Sequence, residues 1–264
     1  MMDYFTKKYL QCCREELSVY GFKHGISRGA HAFAKVVNDV KQIFVLDKIY
    51  GGRLYRVEFS VVPLCARIEK GNIWEGMNPH ELREFEPVAQ RFKSWDGWDC
   101  DPKSKENAEA CVTEAMRFIR EYLMPYFERA DSCKTALKEV IELELLFDDV
   151  RKESLKLQGY EKIAERENVI DMLDYTKYYM ALKNGDYAFA LKSRKGLEQQ
   201  HVSSFISVDK KGWLSEESRA RRLRDIEELR KEIAMIENEE WDLIQRILRE
   251  NEEYSREILK GTLL

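Results

Sequence analysis

Apolar and polar residues alternate through the stretch RLYRVEFSVVPL, which is the pattern of a half-buried β-strand. Its alternation predicts that one set of side chains faces the core: Tyr55, Val57, Phe59 and Val61. The alternate set then faces outward: Arg56, Glu58 and Ser60. This stretch has the strongest β-strand pattern in the chain, and the other predicted strands lie close to it in the sequence.

Three neighbouring stretches extend this strand into a predicted sheet. VKQIFVLDKIY alternates in the same way, and Gly51-Gly52 joins the two stretches with a strong hairpin signal. AHAFAKVV is a third strand with Asn38-Asp39 at its turn, and CARIEKGNIW is a candidate fourth. Such short connections permit antiparallel pairing but no parallel crossover. We therefore expect an antiparallel sheet of three or four strands.

Elsewhere, apolar residues recur every three or four positions, which predicts helices. The first helix runs from Asp3 to Tyr20 and ends at Gly21. From about Asn78 onward the chain is helical, and Pro125 kinks or ends the first of these later helices. The helical stretches are AEACVTEAMRFIREYLMPYFERA, CKTALKEVIELELLFDDVRKESLKLQG (ending at Gly159), YEKIAERENVIDMLDYTKYYMALKNG (closed by Asn184-Gly185) and DYAFALKSRKGLEQQH.

The last predicted helix is the longest, and Ser215 is a good residue to cap its start. It carries one apolar stripe: Leu223, Ile226, Leu229, Ile233 and Ile236. The stripe has coiled-coil spacing from Ile226 to Ile236, and the pattern falters at Glu240 and Trp241. A helix of roughly forty residues spans about 60 Å, more than a body of this size covers. We expect self-association through the stripe; a monomer whose helix folds back along Asp171 to Leu191 is the alternative.

Together these elements predict an α+β fold. An antiparallel three- to four-stranded sheet packs on helices, and a helical C-terminal half follows and ends in a long helix. We expect an α+β domain over 1–130, which contains the sheet and the first of the later helices, and a helical region over 131–264. One continuous domain is the alternative.

Composition and charge narrow the function classes. The chain has 264 residues, of which 44% are hydrophobic and 35% charged, enough apolar material for a core beneath a charged surface. The net charge of −4 argues against nucleic-acid binding. No signal peptide or membrane span is expected. The six cysteines show no C-x-x-C spacing, which is typical of reduced cytoplasmic thiols.

A leading helix that closes in GFKH, three alternating strands and a later YYMALKNGDYAFAL segment occur in this order. The combination resembles the bacterial family called domain of unknown function 4304, from about Asp3 to Phe127 and more weakly over the helices that follow. The resemblance implies the fold class and a bacterial source. The family has no established active site, so the resemblance assigns no residue a role.

The stretch KSWDGWDCD, Lys93 to Asp101, combines aspartates with tryptophans. Its oxygen ligands do not have the spacing of a calcium loop, and no His or Cys lies close enough to complete a zinc site. We therefore predict no metal and no cofactor. We expect the loop to bury Trp95 and Trp98 against the sheet. The alternative is a tryptophan-lined binding surface that includes Trp74.

Two charged segments are further candidates. Arg53, Arg56 and Glu58 form a row on the polar face of the central strand, either as a binding surface or as a solvated face with cross-strand pairs. The run RARRLR, Arg219 to Arg224, offers phosphate contacts, but acids surround it and pair with it at i to i+4. We expect a salt-bridged helical face there.

No motif of a known catalytic site is present, including the phosphate-binding loop and the hydrolase nucleophile elbow. The expected function is a cytoplasmic bacterial protein-binding module without catalysis, of which an immunity-type protein is one version. The partner is another protein or a second copy. The alternatives are an enzyme whose site forms only in space and, more weakly, nucleic-acid binding through Arg219–Arg224.

Overall fold

An antiparallel sheet packs against helices and is followed by a helical C-terminal half, as the sequence predicts. The computed structural model describes residues 3–49, 54–77, 79–85, 98–101, 104–157 and 174–264. The strands in these ranges are β1 (Lys23–Ser27), β2 (Ala30–Val37), β3 (Val40–Ile49), β4 (Leu54–Pro63), β5 (His80–Glu81) and β6 (Trp98–Asp99). Strands β1 to β4 pair in chain order, and β5 and β6 both pair with β4.

Helices surround the sheet and form the C-terminal half. They are α1 (Tyr4–Leu17), α2 (Lys105–Phe118), α3 (Met124–Arg129), α4 (Cys133–Leu157), α5 (Tyr175–Asn184), α6 (Tyr187–Asp209), α7 (Glu216–Glu237) and α8 (Trp241–Leu259). A π-helical turn, Ile119–Leu123, joins α2 to α3. Pro125 lies in the first turn of α3, directly after this change of pitch, and the helical segment ends at Arg129.

Local capping sets the ends of α1. Asp3 accepts a hydrogen bond from the backbone N–H of Thr6 at 2.8 Å, which satisfies one of the free donors of the first turn. After the helix, a single 3₁₀ turn leads to Gly21, whose φ of 81° lies in the left-handed region that favours glycine. The predicted helix from Asp3 to Tyr20 is confirmed.

The inner face of the sheet, which packs on α1, α2 and α3, holds most of the core. Tyr55, Val57, Phe59 and Val61 are all buried there, as predicted. The Tyr55 ring stacks on Phe5 of α1 with ring centroids 3.9 Å apart. Dense aromatic packing of this kind supplies a large share of the stabilisation by burial.

The prediction that Ser60 faces solvent is wrong. Ser60 is 3% exposed, because the outer face of the sheet is covered at one end. A second apolar cluster there joins strand residues such as Ile43 and Val62 to Leu259 and Leu263 at the C-terminus. Ser60 Oγ accepts a hydrogen bond from the Met77 N–H at 3.2 Å. The sheet is thus buried on both faces at this end.

Two strand assignments also need correction. CARIEKGNIW is not a strand, because it forms 3₁₀ turns at Leu64–Ala66 and Lys70–Asn72. Its Ile68 N–H donates to Ser255 Oγ at 2.7 Å instead of to a neighbouring strand. Strand β1 was not predicted, because KHGIS is a largely polar edge strand without an apolar alternation. The Gly51-Gly52 turn lies outside the described residues, although β3 and β4 pair antiparallel on either side of it.

In the C-terminal half, two predicted helices have different limits. The helix predicted from Tyr160 begins, in the described residues, at Tyr175, because Asp174 is extended and caps the N–H of Thr176. Helix α6 continues past the predicted His201 to Asp209. Gly185 closes α5, as predicted, and it does so in the left-handed conformation. The predicted end at Gly159 lies outside the described residues.

The final helical stretch divides into α7 and α8 at Asn238–Glu240, where Glu239 adopts a positive φ of 57°. Helix α7 folds back on α6, and three residues of its stripe are buried there within the same chain: Ile226, Leu229 and Ile236. Leu223 remains 48% exposed. The stripe is therefore largely covered without a second copy, which removes the main physical argument for self-association.

The core continues across the predicted boundary at residue 130. One cluster of buried apolar side chains includes Phe5 and Phe59 from the first region and Leu137, Met180 and Leu248 from the second. This continuity favours the single-domain alternative. Among the described helices, none is long and apolar enough to cross a membrane.

Candidate functional site

A cavity of about 310 Å³ opens on the outer face of the sheet. Strands β3 and β4 form its base. The turn between β1 and β2, residues 74–76 and Pro79 form its walls. The base is apolar where Ile43 and Val45 line it, and the rim carries the carboxylates of Asp47, Glu58 and Glu75. An apolar base with a few polar groups around it is the usual form of a ligand pocket.

Trp74 forms one wall of the cavity and packs against the backbone of Gly25. A Cβ added at Gly25 would lie 2.1 Å from the indole ring, so only a glycine permits this contact. Trp74 remains partly exposed and keeps an aromatic surface on the cavity. This surface suits an apolar stem or a cation, both of which bind tryptophan faces.

Lys41 holds the wall segment in place from inside the protein. Its Nζ donates to the carbonyl oxygens of Asn72 and Ile73, each at 3.0 Å, and of Glu75 at 2.8 Å. These bonds use all three donors of the ammonium group. Burial lowers the pKa of Lys41 to about 7, although the negative charge of Glu75 opposes the shift. Lys41 therefore positions Trp74 and Glu75 without reaching the ligand space itself.

Arg56 lies at the edge of the cavity among three carboxylates. Its guanidinium contacts Glu58 at 2.7 Å, Glu81 at 2.8 Å and Asp47 at 3.4 Å. Burial lowers the pKa of Arg56, but the carboxylates, Glu58 foremost, outweigh it and raise the pKa above its usual value. One guanidinium cannot neutralise three carboxylates, so this cluster carries excess negative charge.

The opposite side of the rim adds one ion pair. Arg28 Nε lies 2.8 Å from Glu75 Oε1, and the Arg28 side chain is 82% exposed, so solvent screens the pair. Among these described side chains, four carboxylates therefore face two guanidinium groups. These six side chains together have a formal net charge of −2, which attracts a cationic group.

The structure brings together half of the predicted binding residues. Arg56, Glu58 and Trp74 meet at this cavity or its edge. Trp98 instead lies in the core, 2% exposed, with its indole N–H donating to Glu114 at 2.8 Å. This is the packing role that was expected for KSWDGWDCD, and it removes Trp98 from any binding surface. Arg53 and Trp95 lie outside the described residues.

Three important residues of the site were not predicted: Asp47, Glu75 and Lys41. A signal for Asp47 was present, since it occupies the same face of its strand as Ile43 and Val45 and pairs in register with Arg56. No local signal marks Glu75, which reaches the site because its loop returns across the sheet. Lys41 alternates like a solvent-facing residue, yet it is 1% exposed.

The helical half contains a buried ionic cluster between α4 and α5. Lys177 is fully buried, with its ammonium bonded to Glu144 and 3.7 Å from Asp174. Burial raises the pKa of Asp174, while Thr176 and Lys177 oppose the shift. Converging titratable groups are what the enzyme alternative requires. Because the carboxylates enclose this ammonium, we interpret the cluster as a buried ion pair that joins two helices.

Two histidines that are separate in the sequence meet on β1 and β2. His24 Nε2 lies 3.2 Å from His31 Nδ1, and Arg14 lies 3.4 Å from the other nitrogen of His24. Burial, and then the charge of Arg14, lower the pKa of both rings. In the part of the chain that the structure describes, no group of three or more metal-binding side chains occurs. Most of KSWDGWDCD lies outside that part, so its lack of a metal stays a prediction.

All six cysteines are free thiols. Cys13 is buried and Cys12 is partly buried, and burial raises the pKa of both thiols. A raised pKa reduces the thiolate fraction and therefore the reactivity. The adjacent pair is accordingly suited to packing on α1 rather than to thiol exchange.

The basic run Arg219–Arg224 on α7 was expected to pair with acids along the same helix, but two of its arginines pair with residues of α6. Arg219 contacts Asp209 at 2.6 Å, and Arg222 donates to Ser204 Oγ at 3.3 Å. Both partners belong to α6 or its end, so these two arginines bind across the helical pair instead of along α7. The charged run thus helps to hold α7 on α6.

No match to the chain was found among family models, curated proteins or solved structures. The resemblance to the domain of unknown function 4304 family therefore stays a prediction. Function has to be argued from the geometry of the sites alone.

Proposed function

We propose that the chain is a non-catalytic protein-binding module of the bacterial cytoplasm that docks a protein partner on the outer face of its sheet. The observation that carries the proposal is the cavity with an apolar base, a tryptophan wall and an acidic rim. Its size is close to the lower limit of ordinary ligand pockets, and it suits one large side chain of a partner. An immunity-type protein that neutralises a toxin is one version of this class.

The charges indicate the chemistry of the partner's anchoring residue. An arginine or lysine side chain has an apolar stem for Ile43 and Val45 and a cationic head for the carboxylates of the rim. The face of Trp74 attracts the same cation, and arginine stacks best on such a surface. Anchoring residues of this kind dominate the affinity of many protein interfaces.

Another protein fits this site better than a second copy of the chain does. The apolar stripe on which self-association was expected is already covered within the chain over Ile226, Leu229 and Ile236. The acidic rim also repels the phosphates of a nucleic acid. The partner is therefore expected to present a basic patch.

A peptide selection tests the proposal directly. Random peptides displayed on phage are selected on the immobilised protein, and enriched peptides are measured again on purified variants. We expect enrichment of peptides that contain arginine or lysine, with binding that weakens as salt increases. Trp74→Ala and Glu58→Gln should each reduce affinity by about tenfold or more. The matched control, Glu227→Gln, changes an exposed carboxylate on α7 and should leave affinity unchanged.

Two outcomes contradict the proposal. One is a selection that enriches acidic or purely apolar peptides. The other is a set of basic peptides that bind the wild type, Trp74→Ala and Glu58→Gln with equal affinity. In the second case the chain binds peptides on a different surface, and the sheet cavity has no role.

A further inference from the structure

Helices α6 and α7 lie antiparallel, and a second cavity of about 360 Å³ opens between them. Helix α6 contributes Gln200, His201 and Ser204 to it, and α7 contributes Arg221, Arg222 and Asp225. Five of these six side chains carry hydrogen-bond donors, and two of them are permanently cationic. The cavity coincides with the basic run, which the proposed function does not use.

The pairing of charges along the two helices changes at this cavity. Elsewhere, acids on one helix face bases on the other at 2.6 to 2.8 Å. These pairs are Arg194–Glu232, Lys195–Glu237, Arg230–Glu198 and Arg219–Asp209. Between Glu198 and Asp209, however, α6 has no acidic residue.

The two arginines at the cavity therefore lack an acidic partner on α6. Arg222 donates to the neutral hydroxyl of Ser204 at 3.3 Å. Arg221 makes no ion pair or hydrogen bond with any residue in the described ranges, and it is exposed. Asp225 also lines the cavity but forms no ion pair with a described residue. The cavity thus keeps a positive excess where its neighbours are neutralised.

We propose that this cavity binds the phosphate group of a small phosphate monoester. Guanidinium groups bind phosphate oxygens in pairs, and Arg221 and Arg222 supply two of them. The Ser204 hydroxyl, the Gln200 amide and the His201 ring add neutral donors. Asp225 accepts a hydrogen bond from a hydroxyl or amino group on the rest of the ligand.

The surrounding acids select a small ligand over a nucleic acid. Glu216 and Glu217 lie on one side of the basic run, and Glu227 and Glu228 lie on the other. Glu217 and Glu227 are ten residue steps apart, which is about 15 Å along the helix. A longer polyanion along α7 would meet these carboxylates, whereas a single phosphate group fits between them.

Calorimetry on the full chain tests the proposal with inorganic phosphate, a nucleoside monophosphate and a short DNA duplex. We expect the monophosphate to bind and inorganic phosphate to compete with it. Arg221→Gln/Arg222→Gln should weaken binding by about tenfold or more. The matched control is Arg230→Gln, which changes an arginine on the same helix that is already paired with Glu198. This control should keep the wild-type affinity.

A second variant keeps the test decisive if the double variant folds poorly. Ser204→Asp places a carboxylate beside Arg222 at an exposed position of α6, which should block phosphate while preserving the fold. The proposal is overturned if the monophosphate fails to bind at millimolar concentration or binds Ser204→Asp as tightly as the wild type. Tighter binding of the duplex, with a steep salt dependence, would overturn it in favour of nucleic-acid binding.

Discussion

The indole of Trp74 lies against the backbone of Gly25, so that a Cβ at Gly25 would come within 2.1 Å of the ring. The contact joins the edge strand β1 to the wall of the sheet cavity. We predict that Gly25→Ala displaces Trp74 and destabilises the protein by about 1–3 kcal/mol, as overpacking does. Denaturant midpoints measure this loss, and affinity for a basic peptide should fall with it.

Gly71→Ala is the control for this substitution. A Cβ at Gly71 meets no atom within 4 Å, and its backbone is not in the left-handed region. Its stability should change by at most about 0.5 kcal/mol. Equal midpoints for the two alanine variants would show that Trp74 does not depend on Gly25.

Lys41→Met tests the anchor beneath the cavity wall. The carbonyls of Asn72, Ile73 and Glu75 each lose the hydrogen bond from Lys41, and Asn72 keeps one from the Glu75 N–H. We therefore expect a loss of about 1–3 kcal/mol. Burial lowers the pKa of Lys41 from 10.5 to about 7. Between pH 7 and pH 10.5, Lys41 is protonated more fully in the unfolded chain than in the folded chain. The contribution of Lys41 to the free energy of unfolding therefore rises with pH. The stability difference between the wild type and Lys41→Met should widen from pH 7 to pH 10; a constant or narrowing difference would contradict the assignment.

Phe59 and Glu58 are adjacent residues on opposite faces of β4 and should behave differently. Phe59 is 1% exposed and packs against Phe85, Tyr126 and Phe127, so Phe59→Ala should cost about 3–5 kcal/mol. Glu58→Gln removes a partly exposed ion pair and should cost at most about 1 kcal/mol. Chemical denaturation of both variants measures the two losses. A larger loss for Glu58→Gln would show that the charged cluster, not the aromatic core, stabilises this strand.

The contact between His24 and His31 predicts sensitivity to acid. Burial and the charge of Arg14 lower the pKa of both rings below 6.5, while Asp3 opposes the shift for His31. As the pH falls below 6.5, the unfolded chain takes up protons before the folded chain does, so stability is lost. In denaturation measured from pH 7.5 down to about pH 5.5, the His24→Gln/His31→Gln variant should lose less stability than the wild type. Both rings are partly exposed, so solvent screening keeps the effect small. Parallel pH profiles for the two proteins would rule out this role.

Ser255 connects the last helix to the segment after β4. Its buried hydroxyl accepts from the Ile68 N–H and donates to the Leu64 carbonyl, both at 2.7 Å. Ser255→Ala leaves the Ile68 N–H without this acceptor and removes one of the two hydrogen bonds that the Leu64 carbonyl accepts, so it should cost about 1–3 kcal/mol. Thermal melts of the two variants measure this cost. The control Ser203→Ala, at an exposed position of α6, should leave the stability unchanged. A neutral Ser255→Ala would indicate that water replaces the hydroxyl.

Several elements were predictable because their cause is local. A strand that is buried on one face has an apolar residue at every second position, so β2, β3 and β4 could be predicted from this alternation. The turn between β2 and β3 could be predicted from Asn38-Asp39. Helix ends marked by a capping residue were also found, as at Asp3, Ser215 and Gly185. Of the residues at the sheet cavity, Glu58 and Trp74 were predicted as binding candidates from their residue type and their position in the sequence.

Alternation failed where a distant segment changed the surroundings of a residue. Ser60 and Lys41 have the spacing of solvent-facing positions, yet segment 72–77 covers Lys41 and Ser60, and the C-terminus covers the same face farther along. The break between α7 and α8 occurs at Glu239, which adopts a positive φ. In the sequence, the apolar pattern showed only a weak irregularity at this point.

The sequence alone therefore determined strands β2 to β4, most of the helices and which side of β4 enters the core, since periodicity records burial within one element. The tertiary structure decided what covers the other side of the sheet. It brought Asp47, Glu58, Trp74 and Glu75 to one cavity, and it placed α6 against Arg221 without an acid. These contacts join residues far apart in the chain, and no local period encodes which distant segment will return to a given face.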